Sequence, residues 1–486
     1  MVKKCTNLLL FFGVLIVVIT IGNSSSQAAD LKVNGWLGTK TAYSQRTGLG
    51  NIYPAKDMTG NQYTHMRGRI RFEFMPSEIG GIVWHNEIDF NYGDGTFENG
   101  RGRGGGLAAD TVNLETKELY FHFAVPDTRL KAKIGVAGVA DDFNNIILGA
   151  DTAGFTLDYL NPAINLRIGK YRFWDQDISS VTDNVDFYKI TASRELASKS
   201  RAGIAAYWLK DRGTGGNGAL NQSGGDTRNI DGLAYLSNNS ATSNAAIIAS
   251  NQVYDLNSYF FGFFGKTQIL ENLIIDGCGV YNNGSVDVEN SADIDISAIA
   301  IDLRAETEFG NTSVSLEGLY VSGSGKDTNQ EFGFTNAGLY SAGANFYNRH
   351  GMMILLPDKN DFNYSSAYSY NVSNIYEDRF LGVTGLFGNA NFTLPAGFGS
   401  KIGLGVLLSS EKRAVNGNTF MGTEINGELS YKIAPNVSAA LRGAYAMTGD
   451  FYEVSSVEAA ASTKGVSANS DPDDILYSYL QLKMSF

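Results

Sequence analysis

Polar and apolar residues alternate along most of the chain, and the final residues, "LYSYLQLKMSF", show the pattern clearly. One set of alternate positions reads Leu476, Ser478, Leu480, Leu482, Met484 and Phe486, and the other reads Tyr477, Tyr479, Gln481, Lys483 and Ser485. A period of two is that of a β-strand, because successive side chains of a strand point to opposite faces. The pattern therefore predicts a strand with one apolar face and one polar face.

Segments of the same kind follow one another from residue 31 onwards. We predict about eighteen strands, with about sixteen as the alternative count, because each segment alternates in polarity and is bounded by turn residues. The predicted strands are 31–44, 62–75, 80–92, 113–125, 128–138, 153–160, 163–173, 184–195, 199–209, 253–266, 272–282, 294–308, 311–323, 377–394, 399–411, 420–433, 436–447 and 473–486.

The connections between the predicted strands alternate between short and long. After every second strand the turn is short, as in "PDT" after Val125 and "NPA" after Leu160. The longest of the other connections lie at 210–252, 322–376 and 449–472. This arrangement is typical of outer-membrane barrels, whose periplasmic turns are short and whose outer loops are long. The predicted fold class is therefore all-β, a transmembrane antiparallel β-barrel with both termini at the periplasmic end.

Other all-β architectures fit the pattern less well. A propeller or a β-solenoid would show a self-similar repeat, and none is visible in the sequence. A β-sandwich would not need a broad apolar exterior, whereas here one face of a strand is often wholly apolar, as at Leu119, Phe121, Phe123 and Val125. In lipid every backbone group needs a partner within the protein, so strands of this kind must close into a barrel.

Residues 1–29 differ from the rest and indicate a secretory signal peptide. Two lysines precede an apolar stretch, and the small residues of "SSSQAA" predict cleavage after Ala28 or Ala29. An uncleaved membrane anchor is the alternative. Residues 30–486 are expected to form a single transmembrane β-barrel domain in the outer membrane of a Gram-negative bacterium.

Composition agrees with strands and disfavours several functions. The chain has 56 glycines, 25 tyrosines and 28 phenylalanines but only 8 prolines, which suits pleated surfaces and tight turns. A net charge of −12 argues against nucleic acid as a partner. Cys278 is the one cysteine beyond the predicted signal peptide, and the four histidines lack the spacing of a zinc site. We therefore expect neither a disulfide nor a metal or other cofactor.

Two resemblances to known families add to this interpretation. Phe486, preceded by hydrophobic residues at alternate positions, resembles the terminal signal that the barrel-assembly machinery of bacterial outer membranes recognises. The segments "GTEINGELSYKIAPNVSAALRGAYAMTGDFYE" and "DPDDILYSYLQLKMSF" resemble the closing hairpin, outer loop and final strand of alginate-export-type outer-membrane porins, a family of barrels with eighteen strands. The resemblance implies a porin, and the substrate in the family name is not carried over to this chain.

The apolar set of each strand is expected to face lipid, which assigns the other set to the lumen. A charge on the lipid face near the midplane would cost about 2–4 kcal/mol, so this assignment is strongly enforced. The basic residues assigned to the pore wall are Arg67, Arg69, Arg71, Lys131, Lys133, Arg167, Arg201, Arg304 and Arg442.

The first three of these arginines form a ladder at alternate positions of one strand. Like charges so placed repel and need carboxylates or passing anions to offset them. The next strand offers His85, Glu87 and Asp89 on the same face. Solvated charges on a water-filled wall, with no selective role, are the alternative.

The third outer connection differs from the others. It is short, contains the apolar run "NIIL", and carries Asp141, Asp142 and Asp151. It resembles the third outer loop of porins, which folds into the barrel and narrows it. We expect its apolar residues to pack on the inner wall and its carboxylates to border the passage, where an acidic loop across from a basic wall would sort solutes by charge. An ordinary exposed loop is the alternative.

Together these features predict an outer-membrane porin and not an enzyme. It would be a passive or weakly selective diffusion channel for small hydrophilic solutes, with anions as a candidate class. The expected partners are outer-membrane lipid, the barrel-assembly machinery, small hydrophilic solutes and further copies of the chain in a homotrimer, the assembly of many porins. The alternative is a barrel that acts mainly as an adhesin or structural protein. A barrel enzyme is less favoured, because no arrangement of a nucleophile with its base stands out.

Overall fold

The computed structural model describes thirteen stretches of the chain. They are residues 30–44, 61–94, 102–108, 112–175, 184–214, 253–290, 292–324, 331–337, 340, 349–356, 381–412, 416–453 and 473–486. The predicted signal peptide lies outside the described residues. Within these stretches, no helix is long and apolar enough to cross a membrane.

The described part of the chain is almost entirely β-structure. Its strands, in chain order, are β1 (Asp30–Ser44), β2 (Asn61–Ser77), β3 (Gly80–Tyr92), β4 (Gly102–Gly105), β5 (Leu114–Ala124), β6 (Leu130–Ala140), β7 (Gly149–Leu160), β8 (Asn165–Asp175), β9 (Asn184–Ala197), β10 (Ser200–Thr214), β11 (Val253–Leu270), β12 (Leu273–Val288), β13 (Ile294–Phe309), β14 (Thr312–Val321), β15 (Glu331–Phe332), β16 (Val383–Thr393), β17 (Phe398–Leu408), β18 (Phe420–Ala434), β19 (Val437–Thr448) and β20 (Ile475–Ser485). Two 3₁₀ turns occupy Pro395–Gly397 and Asp450–Tyr452.

Eighteen of these strands form one closed wall. Each wall strand pairs antiparallel with the next along the chain, and β1 pairs with β20, so that Trp36 lies opposite Ser485 and Ser44 opposite Tyr477. The two short strands β4 and β15 attach in parallel to the ends of β3 and β13 and do not belong to the wall. The predicted closed antiparallel barrel of about eighteen strands is thus confirmed for the described part of the chain.

The two ends of the barrel differ in the length of their connections, as the sequence predicts. Residues 198–199 join β9 to β10, and residues 310–311 join β13 to β14. At the opposite end, residues 215–252 separate β10 from β11, and residues 322–382 separate β14 from β16. The alternation places all the long connections at one end of the wall.

The outer face of the wall is apolar. Along β13, Ile299, Ile301 and Leu303 are 41%, 48% and 57% exposed, whereas the intervening Ala300 and Asp302 are buried. The two sets alternate because successive side chains of a strand point to opposite faces. A closed wall that carries apolar side chains on its outside meets the requirement of lipid, which offers no partner to polar groups. The barrel is therefore a membrane-spanning one.

The seam between the first and last wall strands is tightly fitted. The backbone N–H of Phe486 donates to the carbonyl of Gly35 at 3.0 Å, and the N–H of Gly35 donates to the carbonyl of Phe486 at 2.9 Å. A Cβ at Gly35 would come within 2.8 Å of the Phe486 ring, so glycine lets that ring lie against the wall. On β20, Leu480 is 57% exposed on the outside while Tyr479 is buried inside. The two unlike faces predicted for this strand are confirmed.

The packed core lies inside the barrel, towards the end with long connections. It combines inner-wall side chains such as Phe187 and Phe260 with side chains from two connections that fold inwards, at 143–148 and at the described residues 334–337, 340 and 352–356. Phe451 and Tyr452, which follow β19, also belong to it. These two inward connections occupy the lumen and position the candidate site.

Candidate solute passage

The short inward loop, residues 141–148 between β6 and β7, is organised by its own first carboxylate. The two oxygens of Asp141 accept hydrogen bonds from four backbone N–H groups of the loop, at Phe143 (2.6 Å), Asn145 (2.9 Å), Ile147 (2.6 Å) and Leu148 (2.8 Å). These bonds satisfy backbone groups that a buried loop would otherwise leave unpaired. The carboxyl group is itself buried, and burial raises the pKa of Asp141 above its ordinary value.

Apolar side chains of the short inward loop pack on the inner wall at β10 and β11, four and five strands further along. Those at most 1% exposed are Phe143, Ile146, Ile147 and Leu148. The ring of Phe143 lies 5.2 Å from the ring of Tyr207 on β10 and 6.3 Å from that of Phe264 on β11. Gly262 leaves room for it, since a Cβ there would come within 2.6 Å of the Phe143 ring. The loop therefore crosses the interior from β6 to β10 and β11 and narrows the lumen.

Asp142 attaches the short inward loop to a basic part of the wall. Its Oδ2 lies 2.8 Å from Lys189 Nζ and accepts hydrogen bonds from the hydroxyls of Tyr207 (2.8 Å) and Thr191 (2.7 Å). Lys189 also donates to the carbonyl of Ala140 at 2.8 Å. Burial alone would raise the pKa of Asp142, but the Lys189 ammonium and the hydroxyl donors hold that pKa below its ordinary value.

The expectation that Asp141, Asp142 and Asp151 border the passage is wrong. The Asp142 side chain is 9% exposed, and the oxygens of Asp141 are occupied by backbone donors. Asp151 lies in β7, on the outward-facing set with Phe155, and pairs with Lys117. A loop that is buried inside a barrel has to satisfy its backbone and neutralise its charges, so the carboxylates of the loop turn into the protein.

A second connection also enters the barrel, in addition to the predicted one. The long inward segment comprises the described residues 331–337, 340 and 349–356 between β14 and β16. Asn336 Nδ2 donates to the carbonyl of Ile146 at 3.2 Å, and the N–H of Ala337 donates to the carbonyl of Ile147 at 2.9 Å. The long inward segment thus binds directly to the short inward loop.

A wall carboxylate holds the far end of the long inward segment. Glu424 on β18 accepts hydrogen bonds from three consecutive backbone N–H groups, at Met353 (2.7 Å), Ile354 (2.8 Å) and Leu355 (2.7 Å). The run "MMILL", residues 352–356, is at most 5% exposed. An apolar run inside a long polar connection is the signal that would have predicted this inward fold, just as "NIIL" did for the shorter loop.

Arg349 joins the long inward segment to three wall carboxylates. Its guanidinium lies 3.2 Å from Asp302 Oδ2 and 3.9 Å from Glu317 Oε2, and it also contacts Asp276. Asp302 Oδ2 accepts a further hydrogen bond from Asn144 Nδ2 at 2.5 Å. One wall carboxylate therefore contacts both inward elements.

The predicted arginine ladder lies on the inner face of β2, and each of its members is paired. Arg67 contacts Asp89 and Arg69 contacts Glu87, directly across from them on β3, and Arg71 Nη1 lies 2.9 Å from Glu118 on β5. The side chains of Asp89 and Glu87 are at most 2% exposed. The repulsion within the ladder is offset by carboxylates of the wall rather than by solutes.

The remaining predicted basic residues differ in their pairing. Four arginines have a carboxylate partner: Arg167 with Asp158 (2.6 Å), Arg201 with Glu195 (3.8 Å), Arg304 with Glu306 (3.1 Å) and Arg442 with Glu428 (3.1 Å). Lys131 and Lys133 have no ion pair within the described residues, and the Lys133 ammonium lies 4.8 Å from the centre of the Tyr120 ring. In this described part of the wall the two lysines of β6 thus form no ion pair, and Asp158, which lies opposite Lys131 on β7, pairs with Arg167 instead.

Lys133 also lines a recess of about 110 Å³ in the inner wall. The recess lies between β6, β7 and β8, and Arg167, Lys189, Tyr171 and Asp158 line it as well. Arg167 is paired with Asp158 and Lys189 with Asp142, so the Lys133 ammonium leaves this part of the wall with an excess of one positive charge. Small anions with oxygen acceptors fit such a surface best.

Comparison with known proteins supports the fold. No family model matches the chain, and no curated protein matches it in sequence. The crystal structure of OccK3 (OpdO) from Pseudomonas aeruginosa is similar, with a TM-score of 0.51 at 12% identity, over 94% of this chain and 96% of that one. That of OpdQ from the same organism has a TM-score of 0.50 at 10% identity, over 94% of this chain and 98% of that one.

The closed wall of eighteen strands and these structural similarities define the class of the protein. It is a transmembrane β-barrel with the fold of outer-membrane porins. At these identities the similarity concerns the fold alone.

Proposed function

We propose that the protein is a passive or weakly selective diffusion channel for small hydrophilic solutes in the outer membrane of a Gram-negative bacterium. The observation that carries the proposal is a wall that is apolar outside and charged inside, with a lumen narrowed by two anchored elements. A barrel of this strand number encloses an aqueous lumen. An inward-folded constriction is the feature that lets a wide barrel discriminate between solutes.

We further propose that small anions are preferred over cations. The buried carboxylate of Asp141 is held by backbone N–H groups of its own loop. The arginine ladder and Asp142 are paired with opposite charges within the protein. Lys131 and Lys133 are not, and Lys133 lies in the recess beside Arg167. The unbalanced charge of the described inner wall near β6 is therefore positive, which raises the local concentration of anions.

Planar-bilayer recordings of the purified, refolded chain test both parts of the proposal. We expect ion current, and under a salt gradient a reversal potential that indicates anion preference. The double variant Lys131→Gln and Lys133→Gln should shift that potential towards cation preference. Arg194→Gln, which removes an outward-facing cation of β9, is the matched control and should leave the potential unchanged. A channel without ion current would favour an adhesin, and a cation-preferring wild type would exclude the anion preference.

Aromatic carboxylates are suitable first solutes. A crystal structure of OpdK from Pseudomonas aeruginosa with vanillate is among the similar structures, with a TM-score of 0.50 at 10% identity. Vanillate joins a carboxylate to an apolar ring, and the recess beside Lys133 offers cations together with the ring of Tyr171. Liposome swelling with vanillate and with a neutral aromatic solute of similar size would measure the preference.

Three finer proposals concern family and assembly. The resemblance of residues 422–453 and 471–486 to alginate-export-type porins suggests membership of that family. The position of Phe486 at the seam suits recognition of the last strand by the barrel-assembly machinery. A homotrimer is proposed by analogy with many porins, and cross-linking in native membranes would test it.

A further inference from the structure

Four cationic side chains gather on the outer face of the wall, near the end with long connections. They are Lys170 and Arg172 on β8 and Lys210 and Arg212 on β10, which we call the outer basic patch. They face outwards because they share their alternate positions with Ile168 on β8 and Ile204 on β10, which are 48% and 65% exposed. The outer basic patch therefore lies on the opposite side of the wall from the lumen.

Aromatic side chains mark the level of the membrane at which the patch begins. The rings of Tyr188 and Trp208 stack at 5.0 Å between centroids, and those of Trp208 and Tyr259 at 5.9 Å. Towards the short turns the same face carries apolar side chains, such as Ile190 (51% exposed) and Phe261 (53% exposed). Aromatic girdles of barrels lie where the hydrocarbon meets the head groups.

Strand register places the cations at this boundary and just beyond it. Lys170 lies opposite Tyr188 on the neighbouring strand. Arg172 and Lys210 flank Asp186 from either side, one outward-facing position further towards the long connections. Two residues of a strand span about 7 Å, which corresponds to the head-group layer outside the girdle.

The outer basic patch is ordered but keeps an excess of positive charge. Arg172 Nε lies 3.0 Å and Lys170 Nζ 3.4 Å from the carboxylate of Asp186. Arg212 lies opposite Asp255 on β11. Four cations thus face two carboxylates, and the side chains of Lys170 and Arg172 are each 37% exposed.

We propose that the outer basic patch binds the phosphate groups of an anionic lipid in the outer leaflet of the membrane. Guanidinium and ammonium groups are the usual protein donors to phosphate oxygens, and an excess of positive charge in the head-group layer attracts phosphorylated lipids. The patch faces the membrane and not the lumen, so its ligand reaches it by lateral diffusion within the membrane, as a lipid does. The proposal rests on the membrane-spanning wall and is independent of the proposed diffusion function.

Lipid retention by the purified full-length barrel in a neutral detergent tests the proposal. The probes are bisphosphorylated lipid A and the same lipid without its phosphates. We expect the wild type to retain the phosphorylated probe selectively. The fourfold variant Lys170→Gln, Arg172→Gln, Lys210→Gln and Arg212→Gln should reduce this retention by about tenfold or more, because each cation at the head-group level contributes measurably. Arg194→Gln, which removes an outward-facing cation near the short turns, should retain it as the wild type does.

Other outcomes would overturn the proposal. Equal retention by the fourfold variant and the wild type would exclude the patch as the binding site. Equal retention of both probes would indicate that only the acyl chains are bound. Displacement of the phosphorylated probe by an equal concentration of inorganic phosphate would indicate a site for free phosphate. Heat-modifiable electrophoretic mobility and the β-sheet circular dichroism of the fourfold variant should match those of the wild type and serve as the folding control. A failure of the proposed channel function would appear separately, in the conductance recordings.

Discussion

In the described part of the chain, two connections of the barrel fold into its lumen, and they are held there in different ways. The short inward loop and the long inward segment each bury an apolar run, "NIIL" and "MMILL", and each has its backbone N–H groups bound by one carboxylate. In the loop that carboxylate is Asp141, which belongs to the loop itself. In the segment it is Glu424, which belongs to β18 of the wall.

This difference shows how far the conformation of each element depends on the rest of the molecule. The eight residues of the short loop carry both the apolar run and the acceptor for its backbone, so its conformation is specified locally. The described residues of the long segment supply no acceptor for the N–H groups of residues 353–355, which bind the wall instead, and Arg349 bound to wall carboxylates is a second anchor. The loop should therefore respond most to a change within it, and the segment to changes in its surroundings.

Removal of the loop's own carboxylate is expected to have the largest effect. Asp141→Ala leaves four N–H groups of the loop, three of them buried, without an acceptor, and each hydrogen bond to a charged group contributes about 1.5–3 kcal/mol. The short loop should leave its position, with a rise in single-channel conductance and new protease cleavage near residue 145. Asp450→Ala, at an exposed aspartate of the same barrel end, is the control. Unchanged conductance of Asp141→Ala would contradict local specification of the loop.

Removal of the wall carboxylate should have a smaller effect. Glu424→Ala leaves three N–H groups unpaired, but Arg349 still binds Asp302 and Glu317. We expect a smaller rise in conductance than in Asp141→Ala, and a further rise when Arg349→Gln is added, because both anchors are then lost. If the rise in conductance caused by Glu424→Ala alone exceeded that caused by Asp141→Ala, the contrast between the two elements would be reversed.

Acidification is expected to have the smallest effect on conductance. It distinguishes the two carboxylates of the short loop, because their pKa values are shifted in opposite directions. The pKa of Asp142 is lowered from its ordinary value of 3.8, so the ionised pair with Lys189 stabilises the folded loop above pH 3.8. This contribution is lost as the pH falls through the lowered pKa. The pKa of Asp141 is raised, which gives a contribution of the opposite sign, favouring the folded loop as the pH falls through that raised value.

Conductance recorded as a function of pH checks this assignment. The wild type should show a small rise in conductance only below pH 3.8, while Asp142→Asn should lack that acid step and conduct slightly more at neutral pH. An acid step that persisted unchanged in Asp142→Asn would assign it to another group. Asp450→Asn again provides the control for a carboxylate at the same end of the barrel.

The sequence by itself determined the wall. The period of two, the apolar set of each strand and the alternation of short and long connections predicted a closed barrel of about eighteen strands and the inner position of the arginine ladder. These features are visible in the sequence alone, because lipid requires every strand separately to have an apolar outer face. The carboxylates opposite the ladder were also predictable, since β2 and β3 form a hairpin and their register follows from the turn between them.

Only the tertiary structure decided which charges are neutralised in the lumen. Asp141 and Asp142 turned into the protein because a loop inside a barrel must satisfy its own backbone, and the direction of that turn depends on Lys189 and Tyr207 of distant strands. Glu424 meets residues 353–355 about seventy positions earlier in the chain. Such pairs form when elements far apart in sequence fill one enclosed space, and no local pattern of polar and apolar residues records them.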